Sequence, residues 1–496
     1  MPPSIDLSTF TSTLPIVVVL SDTPLIGTQG EHVACQLYVA SGQNLNALSS
    51  IANQSGRSAS LHVRGAATKN MTKQQFGVHL ADAEASDAFI GLPMTGDKWV
   101  FNDCGSVDRS YVRNALAFHL QRSLPAAGWA PHTQHFELFA ADAATYPQLD
   151  PNHPATFFAL GEVTLDAPPT CIYRGLYLLE EKIEAGSARV PIPTDVPADP
   201  SPNMLGGFIV QCNHPSADYE TLSPTPANIG DQEVLLYEPQ KEYFDPIEHS
   251  GQWDVVQSWW KRWVEPYLYY VAPSEPPPPA LPPPPPPAAP PSPADLAAIE
   301  ASTDLASFAA YFLLAEIAKD PDGYHRSTFM YGALDVPTMT MVMHAGPMWD
   351  KNKSFGNPDL DYAADYKSPT GWGYRPAPEP NQAPGWWWVL LATEPFCDQV
   401  YSLWQRAREQ SPDGQGWTWA AVESYLNDLK ATLTRSSPSL ESPAWRDSEL
   451  YYPGTFSTWQ SKQYEVLTTY LQQRMEWMDA HLQAMLQENC PTWSPT

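Results

Sequence analysis

Hydrophobic periodicity divides the chain into a strand-rich first part and a mainly helical second part. Short apolar runs predict six strands in the first part, at 16–20, 32–40, 60–64, 76–80, 176–183 and 207–211, with one clear helix at 108–124. Apolar positions at three- and four-residue steps predict helices in the second part, at 253–270, 303–319, 394–409, 417–434 and 459–488. The pattern by itself predicts the α+β class.

The helix predicted over 303–319 leads into the segment with the richest candidate chemistry. Asp304 suits its N-terminus, and Pro321 should stop it. Two strands should follow, at 327–331 and 338–343, joined by a turn that contains Gly332 and Pro337. Acidic residues lie before the first strand and after the second.

Asp322 is expected in the loop after this helix, and Asp350 beyond the second strand. Carboxylates at the ends of elements suit Mg²⁺, because this ion takes one or two protein carboxylates and fills its other positions with water and phosphate oxygens. The pair Asp322-Gly323 is equally typical of an ordinary turn. The spacing of the two acids nevertheless favours phosphoryl transfer.

Several segments, taken in order, resemble the CotH kinase family, the spore-coat-protein-H type of atypical protein kinase. The central ones are Asp-x-Asp-Gly-Tyr-x-x-Ser-Thr-Phe-x-Tyr from Asp320 and Gly-Pro-x-Trp-Asp-x-Asn-x-x-Phe-Gly-Asn from Gly346. Further similar segments lie at 14–20, 62–65, 73–77, 97–100, 108–114, 175–183, 206–209 and 474–479. The resemblance implies an atypical protein-kinase-like two-lobed fold, with a strand-rich N-terminal lobe at 14–210 and a mainly helical C-terminal lobe at 211–490.

The resemblance also implies roles for residues of the C-terminal lobe. Asp322 would be the catalytic acid that orients the acceptor hydroxyl, and Asp350 a Mg²⁺ ligand, although these two roles could be exchanged. Asn352 stands where the family usually has a second acid, and it would offer a carbonyl oxygen to the metal, with Asn357 as a further support. Asp320 stands where Asn is common, so that the number of acids near the metal is roughly preserved.

Three residues of the N-terminal lobe are implied to bind the nucleotide. Lys73 would contact the phosphates, and an acid such as Glu181 or Glu137 would hold this lysine. Arg64 matches a family position, although an arginine in such a lobe is also typical of a structural ion pair. Thr72 replaces the first lysine of the family's Lys-Lys pair, so Lys73 is the single candidate.

The predicted function is that of a kinase which transfers the γ-phosphate of ATP to Ser/Thr hydroxyls of a protein, with Mg²⁺ or alternatively Mn²⁺. The chain contains no Gly-x-Gly-x-x-Gly, His-Arg-Asp, Asp-Phe-Gly, P-loop or His-Glu-x-x-His motif, which argues against ordinary kinases, P-loop ATPases and zincins. Two alternatives stay open. One is a catalytically weak coat or surface binding protein, as Asn352 allows, and the other is a nucleotidyl transferase that uses the same lysine and acids.

The composition and net charge indicate which classes of molecule the protein binds. The net charge is −28 and the sequence pI about 4.6, which disfavours nucleic acids and anionic membranes and favours a basic or Ser/Thr-rich protein substrate. No apolar stretch reaches the roughly 20 residues that cross a bilayer. The family resemblance favours an extracellular or surface location, but the N-terminus lacks the pattern of a signal peptide, so the cytoplasm is the alternative. The oligomeric state is not predicted.

Two further features bear on organisation. Residues 274–293 are nearly all proline with a few alanines, which predicts an exposed polyproline II insertion that acts as a spacer or as a ligand for a proline-recognising partner. The six cysteines show no C-x-x-C spacing, which argues against a zinc site. Their even number allows disulfides, and buried free thiols are the alternative.

Overall fold

The computed structural model describes residues 4–25, 31–42, 45–65, 73–82, 88–103, 107–164, 172–193, 205–216, 218–225, 232–244, 250–267, 292–357, 364–375, 383–409, 416–435 and 456–495. Helix and strand make up 36% and 27%, which confirms the mixed content of the α+β prediction. The chain forms two compact units. Unit 1 comprises Met1–Ala115, Pro131–Lys182 and Glu423–Glu465, and unit 2 comprises Leu116–Ala130, Ile183–Val422 and Val466–Thr496. The two-lobed kinase-like arrangement with lobes at 14–210 and 211–490 stays a prediction.

Unit 1 is built mainly from strands. In chain order they are β1 Ser4–Asp6, β2 Thr11–Ser12, β3 Ile16–Ser21, β4 Val33–Ala40, β5 Asn46–Ala47, β6 Arg57–Arg64, β7 Gln75–Leu80, β8 Ala88–Phe89, β9 Leu92–Pro93, β10 Lys98–Asn102, β11 Thr133–Asp142, β12 Glu162–Thr164 and β13 Tyr173–Glu181. Seven of them close a barrel in the order β10-β13-β11-β3-β4-β6-β7. Strands β3 and β11 run parallel, and the other neighbours run antiparallel. Five of the seven were predicted, whereas β10, β11 and the closed barrel were not.

The barrel interior is filled by side chains from alternate positions of its strands, as expected for a small barrel. This core includes Val17, Val19, Leu37, Leu61, Val63, Phe76, Val78, Trp99, Phe101, Phe136, Leu138, Tyr177 and Leu179. The intervening side chains of β3, β4 and β11 pack in a second buried cluster with residues such as Leu7, Phe10 and Phe157. Strand β3 is therefore buried on both faces, which explains its continuous apolar sequence.

Unit 2 holds a five-stranded antiparallel sheet and most of the helices. The sheet order is β15-β16-β14-β17-β18, from β14 Gly207–Asn213, β15 Glu220–Thr221, β16 Glu233–Glu238, β17 Thr328–Asp335 and β18 Thr340–Ala345. The helices of the whole described chain are α1 Arg113–Arg122, α2 Ala155–Phe158, α3 Ser250–Val264, α4 Pro293–Ser302, α5 Leu305–Ala318, α6 Ala364–Lys367, α7 Gly385–Leu391, α8 Glu394–Arg408, α9 Trp419–Arg435 and α10 Phe456–Asn489. The six predicted helices correspond to α1, α3, α5, α8, α9 and α10.

Helix α5 has well-defined ends and buried sides. Asp304 caps its N-terminus by accepting hydrogen bonds from the backbone N–H groups of Ala306 and Ser307, and Lys319 ends it in a left-handed conformation with φ of 46°. The helix contacts both α8 and β18. The sequence signals at Asp304 and Pro321 thus predicted the ends of α5 to within two residues. Asp320 follows directly after the C-cap residue Lys319.

The hairpin after α5 differs from the prediction in one detail. Gly332 lies inside β17 and not in the turn, which contains Pro337. A Cβ atom at Gly332 would lie 2.7 Å from the ring of Phe208 on the neighbouring strand β14. The glycine is therefore explained by close packing of an aromatic ring against the strand, and not by turn geometry.

The structure describes four of the six cysteines and only the end of the proline tract. Cys35, Cys212, Cys397 and Cys490 are buried free thiols, while Cys104 and Cys171 lie outside the described residues. The proline tract also lies outside them, except for Ser292 and Pro293 at the start of α4. Within the described part of the chain, no helix combines the length and the apolar character needed to span a membrane.

Candidate active site

Two loops of unit 2 carry the predicted catalytic and metal-binding residues. The first acid loop, 320–327, follows α5, and the second acid loop, 346–357, follows β18. Strands β17 and β18 pair antiparallel from Met330 opposite Ala345, so the start of β17 and the end of β18 lie side by side. The N–H of Gly346 donates to the carbonyl of Phe329 at 2.9 Å, which continues this pairing to the edge of the loops. The hairpin therefore brings the two acid loops together.

The second acid loop is held in an unusual backbone conformation. Asp350 and Phe355 have φ of 56° and 52°, in the left-handed region that costs a non-glycine residue on the order of 1 kcal/mol or more. At Gly356, with φ of 64°, a Cβ atom would lie 2.4 Å from the ring of Tyr470, so only glycine fits. The ring of Trp349 stacks on Phe118 with centroids 6.1 Å apart. These contacts fix the direction in which the side chain of Asp350 leaves the loop.

Asp322 lies in the first acid loop between two basic side chains. Its Oδ2 is 2.9 Å from Lys353 Nζ, and its Oδ1 is 3.6 Å from a guanidinium nitrogen of Arg326. Burial by itself would raise the pKa of Asp322, but the charges of Lys353, His325 and Arg326 outweigh burial and hold this pKa below its ordinary value. The carboxylate is therefore ionised at neutral pH, and 20% of the side chain is exposed to solvent.

Asp350 is the exposed acid of the second loop. Its Oδ2 accepts from Ser327 Oγ of the first acid loop at 3.5 Å, and its Oδ1 accepts from Asn352 Nδ2 at 3.1 Å. Because Asn352 donates through its amide nitrogen, its carbonyl oxygen is the atom suited to a cation. Asn357, fully buried, donates from Nδ2 to the backbone carbonyl of Asn352 at 2.9 Å and so supports the loop.

The donor set suits a hard divalent cation. Among the described residues, no group of three or more His, Cys, Asp or Glu side chains is arranged to hold a metal ion. Asp350 and Asn352 instead offer one carboxylate and one amide carbonyl, and such a pair binds Mg²⁺ or Mn²⁺ when water and phosphate oxygens supply the remaining ligands. The residues present therefore fit the metal that the sequence predicts.

A buried ion pair lies beneath the two acids. Lys351 Nζ is 3.0 Å from Asp320 Oδ2, and the two side chains are 0% and 1% exposed. Burial alone would lower the pKa of Lys351, but the charge of Asp320, with smaller contributions from Tyr311 and Asp350, raises it. Burial raises the pKa of Asp320, and the charge of Lys351 opposes this rise. Lys351 is therefore a buried ammonium that faces Asp320.

A second buried ion pair joins α5 to α10. Arg474 Nη2 is 3.0 Å from Glu316 Oε2, and both side chains are fully buried. Arg474 also donates to the carbonyls of Glu316, Pro369 and Gly371. Glu316 accepts from the hydroxyl of Tyr324 at 2.6 Å and from the backbone N–H groups of Gly373 and Tyr374. The pair therefore connects the first acid loop with residues 369–374.

Lys319, at the end of α5, supports the same segment. Its ammonium donates to the backbone carbonyls of Asp365, Ser368 and Thr370. Burial and the neighbouring charge of Arg474 lower the pKa of Lys319 to about 8. Two cations therefore bind carbonyl oxygens between residues 365 and 371, which orders the backbone next to the acid loops.

The predicted nucleotide-binding residues belong to unit 1. Lys73 donates to the backbone carbonyl of Leu176, and its ammonium lies 4.6 Å from the centroid of the Tyr177 ring. Arg64 is half-buried at the end of β6, in register with Gln75 of β7. Lys73 and Arg64 therefore flank the connection between β6 and β7.

The two acids proposed to hold Lys73 have contacts of their own within unit 1. Glu181 is buried, and it accepts from Thr95 Oγ1 and from the backbone N–H of His132. Burial would raise the pKa of Glu181, but these hydrogen bonds and a contact with the His132 ring lower it. Glu137 accepts from Ser12 Oγ at 3.3 Å and from the Tyr173 hydroxyl at 2.6 Å.

Sequence reasoning missed the basic residues that surround the acids. Lys351, Lys353 and Arg326 all lie within or beside the quoted motifs, yet none was assigned a role. A signal was present, since two lysines within three residues are conspicuous in a chain with only 27 Lys and Arg among 496 residues. The partners of the two lysines, however, lie 31 residues away and depend on the fold.

Comparison with known families found a family model that matches most of the chain. A family model described as CotH kinase protein matches residues 61–241 and 289–478. These segments cover most of the chain, which therefore belongs to the CotH kinase family. The match begins after β3 and β4, and its interruption between 241 and 289 includes most of the proline tract. No curated protein matches the chain.

Proposed function

We propose that this chain is an atypical kinase that transfers the γ-phosphate of ATP to a serine or threonine hydroxyl of a protein substrate. The observation that carries the proposal is the contact between Ser327, in the loop of Asp322, and the exposed Asp350, in a chain of the CotH kinase family. Phosphoryl transfer needs positioning, neutralisation of phosphate charge and an acceptor for the hydroxyl proton. Unit 2 offers a side chain for each of these tasks.

Asp322 is the proposed catalytic residue. Its carboxylate orients the acceptor hydroxyl and takes the proton, while the acceptor oxygen bonds to the γ-phosphorus and the bond from this phosphorus to the β–γ bridging oxygen breaks. Lys353 and Arg326 keep the carboxylate ionised and place positive charge where phosphate oxygens arrive. The exchange of roles between Asp322 and Asp350 is the alternative, and the variants in the Discussion separate the two.

Asp350 and Asn352 are the proposed ligands of Mg²⁺ or Mn²⁺. Both offer oxygen atoms, which these ions prefer. The chemistry that such an ion supplies when bound is neutralisation of negative charge on the phosphate oxygens. The neutral Asn352 contributes less charge than an aspartate, so we expect weaker metal binding than a two-carboxylate loop would give.

Lys73, Arg64 and Glu181 are the proposed nucleotide-binding residues of unit 1. A lysine ammonium is a compact charge suited to phosphate oxygens. Glu181 lies five residues beyond Leu176 on β13, about 16 Å along the strand, and it binds Thr95 and His132, so it does not hold Lys73 in this conformation. The net charge of −28 supports a basic protein as the acceptor, because opposite charge accelerates the encounter of two proteins.

The test is transfer of label from ATP to a basic, serine-rich acceptor protein in the presence of Mn²⁺ or Mg²⁺. We expect label from γ-labelled ATP, none from α-labelled ATP, and loss of transfer when the metal is chelated. Transfer from α-labelled ATP would instead make the chain a nucleotidyl transferase that uses the same acids. If neither label is transferred but calorimetry detects metal–ATP binding, the chain is a binding protein, and the proposed activity is wrong.

A further inference from the structure

The Asp320–Lys351 pair is a costly feature to place in the interior of a protein. Two charges are removed from water, with exposed fractions of 1% and 0%, and a 3.0 Å contact joins them. Buried ion pairs seldom stabilise a fold more than apolar residues of similar volume, whereas they fix relative positions in some proteins. Stabilisation of the fold is therefore a poor explanation for this pair. A better explanation is that the pair fixes the positions of Asp322 and Asp350.

Each member of the pair is joined to one of the two acids. Asp320 Oδ1 accepts from the backbone N–H of Asp322 at 2.9 Å, while its Oδ2 binds Lys351. Lys351 directly follows Asp350, and its carbonyl accepts both the N–H and the hydroxyl of Ser354. A shift of the ion pair would therefore move the backbone of Asp322 and Asp350 together.

Two further contacts join the two acid loops near the Asp320–Lys351 pair. The N–H of Phe355 donates to the carbonyl of Ala318 at 2.7 Å, and this contact joins the end of α5 to the second acid loop. Lys353 and Asp322 join the same loops at the surface, where the lysine is 36% exposed and its contact is open to water. The Asp320–Lys351 pair also joins the two loops, and it is charged and buried from water.

Asp320 is also unsuited to bind a cation itself. Both of its oxygens already accept hydrogen bonds, and the ammonium of Lys351, 3.0 Å away, would repel a metal ion. We infer that Asp320 and Lys351 form a positioning pair that sets the spacing between Asp322 and Asp350 for the metal–nucleotide, and that Asp320 is not a metal ligand. The metal–nucleotide in this inference comes from the proposed function, whereas the positioning role of the pair comes from the contacts of Asp320 and Lys351.

The test is a double variant, Asp320→Asn with Lys351→Met, which removes both charges and leaves neither one unpaired. We expect a melting temperature within a few degrees of wild type, a Kd for Mn²⁺–ATP weakened about 10–100-fold, as is usual for residues that orient metal ligands, and faster hydrogen exchange in peptides 318–327 and 349–357. The matched control is Glu184→Gln with Arg189→Met, which removes another ion pair of unit 2, with side chains 13% and 2% exposed. The control should leave the Kd and the exchange of both loops unchanged.

The outcomes separate this inference from the proposed function. If the double variant binds Mn²⁺–ATP as wild type does and both loops exchange at wild-type rates, the positioning role is wrong. If wild type itself binds no Mn²⁺–ATP, the proposed function fails, and exchange alone decides the inference, with unchanged rates overturning it.

A second variant covers the case in which the double variant does not fold. Asp320→Glu keeps both charges and lengthens one side chain by a methylene. A weakened Kd with faster exchange in both loops supports the positioning role, whereas a wild-type Kd and wild-type exchange overturn it.

Discussion

Asp322 and Asp350 differ in how their surroundings balance their charge. Asp322 lies between Lys353 and Arg326, and it keeps its charge without a metal ion. Asp350 is exposed, and the hydrogen-bond donors seen at its carboxylate are the neutral groups of Ser327 and Asn352. A carboxylate whose hydrogen-bond donors are neutral gains more from a divalent cation than one already paired with two cations, which favours Asp350 as the metal ligand.

The first prediction concerns Asp350→Ala. We expect it to abolish metal-dependent ATP binding while the melting temperature stays within about one or two degrees of wild type, since an exposed side chain contributes little to stability. Isothermal titration calorimetry with and without Mg²⁺ measures the binding. Wild-type transfer by this variant in the presence of Mg²⁺ would show that the assignment is wrong.

The second prediction concerns Asp322→Asn, which keeps the shape of the side chain and removes the charge that accepts the proton. We expect kcat for transfer to fall by about 10²–10⁴-fold, the usual contribution of a general base, while ATP binding is largely kept. Asp428→Asn, on the exposed side of α9, is the matched control for loss of one charge. If Asp322→Asn instead loses binding while Asp350→Ala binds without transfer, the roles of the two acids are exchanged.

At the scale of elements, the sequence predicted a helix or strand correctly where the signals at both of its ends and its apolar periodicity indicated the same element. Helix α5 carries Asp304 at its start and Pro321 after its end, and the structure follows both. Strand β11 was missed because it pairs in parallel with β3, more than a hundred residues earlier, and this pairing buries most of its side chains on both faces. Lys351 was missed because lysine is usually exposed, and its burial depends on Asp320 in another loop.

The third prediction concerns the N-terminus of α5. Asp304 accepts from two backbone N–H groups, and its Oδ2 is 2.8 Å from His344 Nδ1. Asp304→Ala should lower the free energy of unfolding by about 1–2 kcal/mol through loss of the cap. Urea denaturation measures the change, and Asp304→Asn, which keeps a capping oxygen, should lose less.

The same residue gives a pH dependence. Burial would raise the pKa of Asp304, but the hydrogen bond and charge of His344, with the two backbone donors, lower it. A carboxyl whose folded pKa is lowered stabilises the fold above its unfolded pKa, and it loses this contribution as the pH falls through the folded value. The difference in stability between wild type and Asp304→Ala should therefore be constant at neutral pH and shrink in acid. A difference that grows in acid would contradict the assignment.

At the scale of the whole molecule, the family match and the described structure cover different parts. Strands β3 and β4 lie before the matched segments, yet the barrel of unit 1 closes only through them. The match is interrupted between 241 and 289, a segment that contains α3 and most of the proline tract. The family match therefore leaves out two strands that the barrel of unit 1 requires.

The fourth prediction concerns the proline tract. Replacing 276–291 with a short Gly-Ser linker should leave the melting temperature and ATP affinity nearly unchanged, because loop-closure cost varies slowly with length, by about 0.6 kcal/mol per doubling. The deletion stops before Ser292, whose side chain and that of Asp295 form the capping box of α4. A loss of several degrees on differential scanning calorimetry would show that the tract packs against the body.

The pair formed by Glu316 and Arg474 has a consequence for synthesis of the chain. The two residues are 158 positions apart, so translation at about 5–20 residues per second separates them by roughly 8–30 seconds. Both acid loops are synthesised within this interval, while the carboxylate of Glu316 lacks its arginine. We expect the nascent chain to keep this region open to chaperones, and to gain a competent nucleotide site only after residue 474 has been made.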